Sequence, residues 1–345
     1  MLAAVFRGPN RMELEEVAVP QIGKEDLLIR VKACAICGTD LRIYTGQKTK
    51  GVRTPSVLGH EIAGQVEDIG ENVQGFKKGD RVAIAPVLPC GNCRYCKNNQ
   101  ENACLNRKGL GYQYNGGFAE YLKLPGEYLS KGNLFIIPEG ISYQEACLAE
   151  PLGCVYNGNE RSRITINDTV VIIGAGPIGL MHLLLSKAKG STAIIVSEPL
   201  PARRQMAKKL RANLVVNPAE EDLVKTVLEY TDGKRADVVI LSIGITSLID
   251  PALRLLKKGG ILNLFAGFPK ESEAVISPNI IHYDEVWVTG ATACTRSQYE
   301  KSLDLISRRK IDLKPLISHT YPLAKIEEAF ATVANGAGIK VIIKP

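Results

Sequence analysis

The sequence predicts an α/β protein of two domains, an irregular β-barrel of short strands joined to a doubly wound parallel sheet. Three observations predict it. From Leu2 to about Ile84 the chain reads as short strands punctuated by glycine. After Asp168 the pattern changes to strands alternating with helices. At 345 residues the chain is also long for a single core, and about two domains are expected.

In the first half the expected strands are Leu2–Phe6, Leu27–Ala33, Glu61–Ile69 and Arg81–Ile84, each rich in Val, Ile or Leu and bounded by Gly, Pro or Asp. Gly59, Gly64, Gly70, Gly75 and Gly79 break the run, and Lys78-Gly-Asp80 reads as a turn. Three segments here and just beyond carry metal-binding chemistry: Cys37-Gly-Thr-Asp40, Gly59-His60-Glu61 and Glu150-Pro-Leu-Gly153. They offer a thiolate, an imidazole and two carboxylates, a donor set that suits a catalytic zinc with one position left open. Taken singly, Cys37 reads as a small buried hydrophobe and His60 as a core histidine. Their company favours the metal.

That company begins with Cys90-x2-Cys93-x2-Cys96-x7-Cys104, bent by Pro89, Gly91 and Asn92. Four thiolates at this spacing can close a tetrahedron around one zinc, which makes a structural site. The nine cysteines are an odd number, and crowding four of them in a chain with no secretory signal points to metal before disulfides. A nucleic-acid-binding zinc ribbon would need a basic patch with interleaved aromatics, and only Arg94-Tyr95 and Lys97 offer one. The formal charge of +7 is dispersed among nearly as many acids, so no nucleic-acid partner is expected. With no run of eighteen apolar residues and no signal-peptide pattern after Met1–Phe6, neither a membrane partner nor export is expected, and the predicted location is cytoplasmic.

In the second half, Thr169-Val-Val-Ile-Ile173 suits a buried parallel strand. It feeds Gly174-Ala-Gly176-Pro177-Ile178-Gly179 and then a helix over Leu180–Lys189. Glycines at this spacing make a tight turn, let a pyrophosphate approach the backbone and let the helix pack on the sheet, so a dinucleotide is expected at the helix N-terminus. The next strand, Ala193–Val196, leads to Glu198. A carboxylate there accepts hydrogen bonds from the adenosine ribose and repels a 2′-phosphate, so NAD is expected in preference to NADP. Arg203 and Arg204 pull the other way, unless they are the solvated face of a helix starting near Pro201. The alternation continues through Asn213–Val216, a helix from Ala219, Asp237–Leu241, a helix from Ser247, and Gly260–Phe265.

These motifs together resemble the zinc-dependent medium-chain dehydrogenase/reductase family, which includes alcohol, sorbitol and threonine dehydrogenases. Gly59-His60-Glu61-Ile-Ala-Gly64-Gln-Val66 is similar to the family's zinc signature, Cys37–Asp40 to its first ligand segment, and Cys90–Cys104 to its structural-zinc lobe. The resemblance covers essentially the whole chain. It implies a GroES-like catalytic domain over 1–154, a Rossmann domain over 155–290 closed by Val286–Thr289, and a return to the first domain over 291–345. Helices near Gln298–Arg308 and Lys325–Ala334 and a last strand Ile339–Ile343 are expected in that return. Two zinc ions per chain are implied, as is a homo-oligomer, dimer or tetramer. Glu61 and the Glu150-Pro151 pair resemble the polyol and threonine branch, and Cys154 is read as core.

The implied reaction is hydride transfer between NAD and a secondary hydroxyl of a small-molecule polyol, cyclitol or sugar derivative. Cys37, His60, Glu61 and Glu150 are expected to hold the catalytic zinc, and Thr39 to begin a proton relay. Arg203 is counted with the glycine turn and Glu198 as a cofactor contact. Asp40 is either support for the ligands or a helix cap. Arg42 stands where many relatives have a proton-passing histidine, and it stays protonated. The segment Gly290-Ala-Thr-Ala-Cys-Thr-Arg296 stands in place of the arginine- and tyrosine-containing stretch that the resemblance associates with sorbitol binding, which counts against sorbitol itself. L-threonine 3-dehydrogenase is the alternative. A non-catalytic zinc-stabilised binding protein is a third reading, against which Thr39 and the two carboxylates speak.

Overall fold

The computed structural model describes all residues from Met1 to Pro345, and the chain divides into two compact units, 1–153 with 293–345 and 154–292.

The first unit is built on a seven-stranded sheet. Its path runs Leu134–Ile136, Arg81–Ile84, Glu61–Ile69, Leu27–Ala35, Lys340–Lys344 and Ile317–Pro322, with Tyr121–Leu124 also paired to Leu27–Ala35. A smaller sheet holds Arg11–Glu16, Leu2–Gly8 and Ser56–Val57, and a bridge between Ala3 and Ala119 ties it to the rest. Both sheets turn apolar residues into one core that includes Phe6, Leu27, Ile29, Ile62, Phe118 and Tyr128. Leu27–Ala35 is central because it is apolar on both faces and can therefore take partners on either edge and be covered from both sides. Its far end delivers the chain to Cys37. The strand Lys340–Lys344 lies antiparallel beside it, with Ile342 opposite Ala35.

The second unit is a six-stranded sheet, all parallel, in the order Leu214–Val216, Ala193–Ser197, Thr169–Ile173, Ala236–Leu241, Leu256–Leu264, Trp287–Gly290. The β-branched run Thr169–Ile173 is buried from Val170 onward, as a central parallel strand requires. The order reverses beside this strand, which is where doubly wound sheets bind ligands.

Several expected elements begin elsewhere: the helix expected over Leu180–Lys189 runs Pro177–Ala188, and the strand expected over Gly260–Phe265 runs Leu256–Leu264. The helix expected from Ala219 starts at Leu223, because Asp222 accepts hydrogen bonds from the N–H groups of Val224 and Lys225 and so caps it. Residues 219–221 instead turn against Asn217, whose carbonyl accepts from Glu220 and Glu221. The helix expected from Ser247 opens with a 3₁₀ turn, Thr246–Leu248, and continues as α-helix over Ile249–Arg254.

Candidate active site

Cys37 sits at the cap of the helix Gly38–Tyr44, where its sulfur accepts the Thr39 N–H at 3.4 Å. Asp40 closes the cap from the other side, accepting the Cys37 N–H at 2.9 Å through Oδ2. Its second oxygen, Oδ1, lies 3.2 Å from Nδ1 of His60. One fully buried carboxylate thus caps the helix and orients the imidazole, so both readings of Asp40 hold at once. His60 enters the strand Glu61–Ile69 through Gly59, whose φ of +91° and whose 2.7 Å approach from a built Cβ to Sγ of Cys34 leave no room for a side chain.

Ligand atoms of Cys37, His60 and Glu61 all lie within 4.8 Å of one another, and His60 and Glu61 are buried. A soft sulfur, an imidazole and a carboxylate converging at this distance fit zinc. Burial by itself would lower the His60 pKa, but Tyr112, Asp40 and Cys37 outweigh it and hold it well above the ordinary value. A metal ion must displace that proton to bind. Burial pushes the Glu61 carboxyl up to about 7, against the pull of Lys340 and with the field of Glu150 adding to the rise.

Lys340 was not foreseen. Its Nζ lies 2.6 Å from Oε1 of Glu61 and also reaches the Ile36 carbonyl at 3.3 Å, and the ion pair is almost wholly buried. The signal was a lone lysine inside the apolar run Ile339-Lys-Val-Ile-Ile343. Glu150 is buried in the first turn of the helix Ala149–Arg161, close enough for its charge to act on Glu61 but outside the trio of converging ligand atoms. Cys154 lies one turn further along that helix and is half-buried, where a core residue was expected. Thr39 is half-buried beside Cys37, and its hydroxyl oxygen accepts from Nη2 of Arg42 at 3.2 Å.

Cys90, Cys93, Cys96 and Cys104 form the second cluster, again with all four sulfurs within 4.8 Å of one another. Backbone N–H groups of Cys96 and Leu105 lower the Cys93 thiol to about 6, and those of Asn92 and Cys93 lower Cys90. Burial pushes Cys96 up to about 12. Four sulfurs with no open side fit a closed zinc site.

In the second unit Gly174 has a φ of +98°, and a Cβ on Gly179 would meet the Gly174 carbonyl oxygen at 1.9 Å. Only glycine lets the helix Pro177–Ala188 start here. A Cβ on Gly176 would meet nothing nearer than Nη1 of Arg203, at 4.0 Å. The helix has no side-chain cap, starts with Pro177 at its first turn, and leaves Ile178 half-buried. An uncapped N-terminus above an open glycine cradle fits a dinucleotide pyrophosphate. Glu198 is buried after the next strand, accepting from Ala175 N–H at 2.7 Å and from Leu200 N–H at 3.0 Å. Arg204 turns back to the Glu198 carbonyl at 3.1 Å.

Residues 23–137 match the alcohol dehydrogenase GroES-like domain, and residues 177–308 match the zinc-binding dehydrogenase domain. An L-threonine 3-dehydrogenase from Pyrococcus furiosus is 36% identical over 335 residues, covering 96% of this chain and 94% of its own. A sorbitol dehydrogenase from Bacillus subtilis is 31% identical over 350 residues, covering 100% and 97%. A solved structure from Sinorhizobium meliloti 1021, described as a zinc-binding dehydrogenase bound to NADP, superposes with a TM-score of 0.93 at 29% identity, covering 100% and 99%. A GroES-like unit and a Rossmann unit with these relatives define a zinc-dependent oxidoreductase that uses a nicotinamide cofactor and a small alcohol. The chain belongs to the zinc-dependent medium-chain dehydrogenase/reductase family. No helix is long and apolar enough to cross a membrane.

Proposed function

We propose that this chain oxidises a secondary hydroxyl of a polyol, cyclitol or sugar derivative with NAD, using a zinc held by Cys37, His60 and Glu61. The observation that carries the reading is the convergence of those three ligand atoms with a carboxylate, not a second cysteine, as the third donor. Zinc and nicotinamide, when bound, supply the Lewis acidity toward the hydroxyl oxygen and the hydride acceptor.

The chain's own residues do the rest. Asp40 holds the His60 ring and the Cys37 backbone in register. Thr39 receives a hydrogen bond from Arg42, so its oxygen is engaged and its own proton is free to point elsewhere. That arrangement suits Thr39 to exchange a proton with the substrate hydroxyl, while Arg42 orients it without passing the proton onward. Glu150 supports the centre as a nearby buried charge. The four-cysteine cluster supports a second, structural zinc.

Glu198 next to the Ala175 N–H supports NAD, because a phosphate on the ribose would meet a buried carboxylate. Arg203 beside Gly176 supports contact with a cofactor phosphate. The edge strand Trp287–Gly290, with Trp287 and Val288 exposed, supports self-association. None of the nine cysteines is joined in a disulfide, which supports a reducing compartment.

L-threonine remains the second reading, favoured by the relative from P. furiosus. NADH formation across polyols, cyclitols, L-threonine and simple alcohols tests the reading, and the expected result is turnover of a polyol-type substrate that stops on chelation. Glu198→Ala should lower kcat/KM for NAD by about tenfold to a hundredfold and shift the ratio toward NADP. An unmoved ratio would assign cofactor choice to the arginines.

A further inference from the structure

Near the Cys37–His60–Glu61 centre, within the first unit, Arg42 and Lys48 stand without a carboxylate partner, and the field of a third such cation, the exposed Arg107, reaches Lys48. Arg42 donates to the Thr39 hydroxyl, and its Nε is buried with no hydrogen-bond partner. Lys48 is tied to it through the backbone, its N–H donating to the Arg42 carbonyl at 3.0 Å. The Lys48 ammonium lies 4.8 Å from the centre of the Tyr112 ring, and that ring lies 5.6 Å from the His60 ring. Arg107, on the segment leaving the four-cysteine loop, is held by the Asn102 carbonyl. Burial, then the fields of Arg42 and Arg107, keep the half-buried Lys48 below the ordinary lysine range.

Each cation is therefore anchored by a neutral group: a hydroxyl, an aromatic face or a carbonyl. Asp40, the buried carboxylate near them, is committed to Cys37 and His60. Elsewhere in this unit some cations find acids, as Lys108 finds Glu127 and Arg296 finds Glu101, and others rest on neutral groups singly, as Arg53 rests on Asn115 and Lys131 on the Cys90 carbonyl. Like charges gathered beside a reaction centre repel one another unless an anion joins them.

We propose that Arg42, Lys48 and Arg107 form an anion subsite and that the substrate is a phosphate monoester of a polyol or sugar, its hydroxyl at the metal centre and its phosphate among the three cations. This rests on the reading of the chain as a polyol-type dehydrogenase and narrows its substrate. A phosphate monoester carries nearly two negative charges at neutral pH and three acceptor oxygens, which matches three donors better than a carboxylate does. The Tyr112 ring, close to both the Lys48 ammonium and the His60 ring, offers an apolar face beside the two ends.

The test compares kcat/KM for matched pairs, sorbitol with sorbitol 6-phosphate and D-arabitol with D-arabitol 1-phosphate, with L-threonine as the carboxylate arm. Wild type, Lys48→Ala, Arg107→Ala and the double variant are assayed at low and high salt, and isothermal titration reads binding of each compound independently of turnover. The phosphorylated member should be preferred by about tenfold or more, the preference should shrink with salt, and each variant should move the ratio toward one. Lys108→Ala, whose cation pairs with Glu127, should leave the ratio where it is. Equal use of both members of each pair overturns the subsite while leaving the polyol reading intact. Preference for L-threonine alone overturns the phosphate in favour of a carboxylate, and variants that change KM for NAD but not the ratio assign the cations to the cofactor. Selective binding of the phosphorylated compounds without turnover would keep the subsite and sink the polyol reading.

Discussion

The two clusters of candidate metal ligands in the first unit are built on opposite plans. Cys90, Cys93, Cys96 and Cys104 come from one loop whose ends are fourteen positions apart, and backbone N–H groups lower two of the thiols before any metal arrives. Cys37, His60 and Glu61 come from a helix cap and a strand start, and they are held by groups that are themselves buried and charged, Asp40 and Lys340. The first plan suits a site that must close and stay closed. The second keeps protons on its ligands and charges in the core, which costs stability and is retained where reactivity is needed.

Serine replacements should show the largest contrast. Cys37→Ser should leave a folded protein, judged by circular dichroism, whose turnover falls by about a thousandfold or more, since a metal ligand is lost. Cys93→Ser should lose folding stability by several kcal/mol, read as a lowered Tm, because a structural zinc stabilises the fold directly. Reversed outcomes would exchange the two assignments.

Next in size is the Glu61–Lys340 pair. Lys340→Met leaves a buried carboxylate without its cation and should destabilise the metal-free protein by about 3–5 kcal/mol in chemical denaturation. Adding Glu61→Gln should recover much of that loss, because the stranded charge is gone. A double variant no more stable than Lys340→Met would show that the two groups do not depend on each other.

The smallest effect is one of pH. Without a metal the Glu61 carboxyl is raised to about 7, so as pH falls below that value a proton competes increasingly with a metal ion for it. In the four-cysteine cluster Cys93 is lowered to about 6 while Cys96 is raised to about 12, and four converging sulfurs share one ion, so acid must displace several thiolates together to release it. Zinc retained after dialysis should drop from two ions per chain to one between about pH 7 and 6, and the ion that leaves should be the one whose loss stops turnover. Simultaneous release of both would remove the distinction.

The sequence was most legible where structure is local. Glu61–Ile69, Arg81–Ile84 and Thr169–Ile173 were read to the residue, because β-branched runs end at turn residues that leave little choice. The two-residue strands Ser56–Val57, Val87–Leu88 and Lys108–Gly109 carry no alternation and could not be read. In the metal centre, Cys37, His60 and Glu61 sit in recognisable segments, and the structure brings their ligand atoms together. Lys340 stood out as a lone lysine in an apolar run, but its partner Glu61 was illegible because the pair depends on strands from opposite ends of the sequence. The same holds for Lys48 and Tyr112, joined by a loop return that leaves no periodic trace.

The wide separation of Glu61 and Lys340, 279 positions, also sets an order of events during synthesis. The four-cysteine loop can capture its ion as soon as it leaves the ribosome, since everything it needs is within one loop. Glu61 must wait for its cation until the whole nucleotide-binding unit has been made. At about 5–20 residues per second that interval is roughly 14 to 56 s. Until Lys340 arrives, a protonated Glu61 is the less costly form for a carboxyl in an apolar strand, so in the growing chain the four-cysteine cluster is complete while the Cys37–His60–Glu61 cluster still lacks its buried cation.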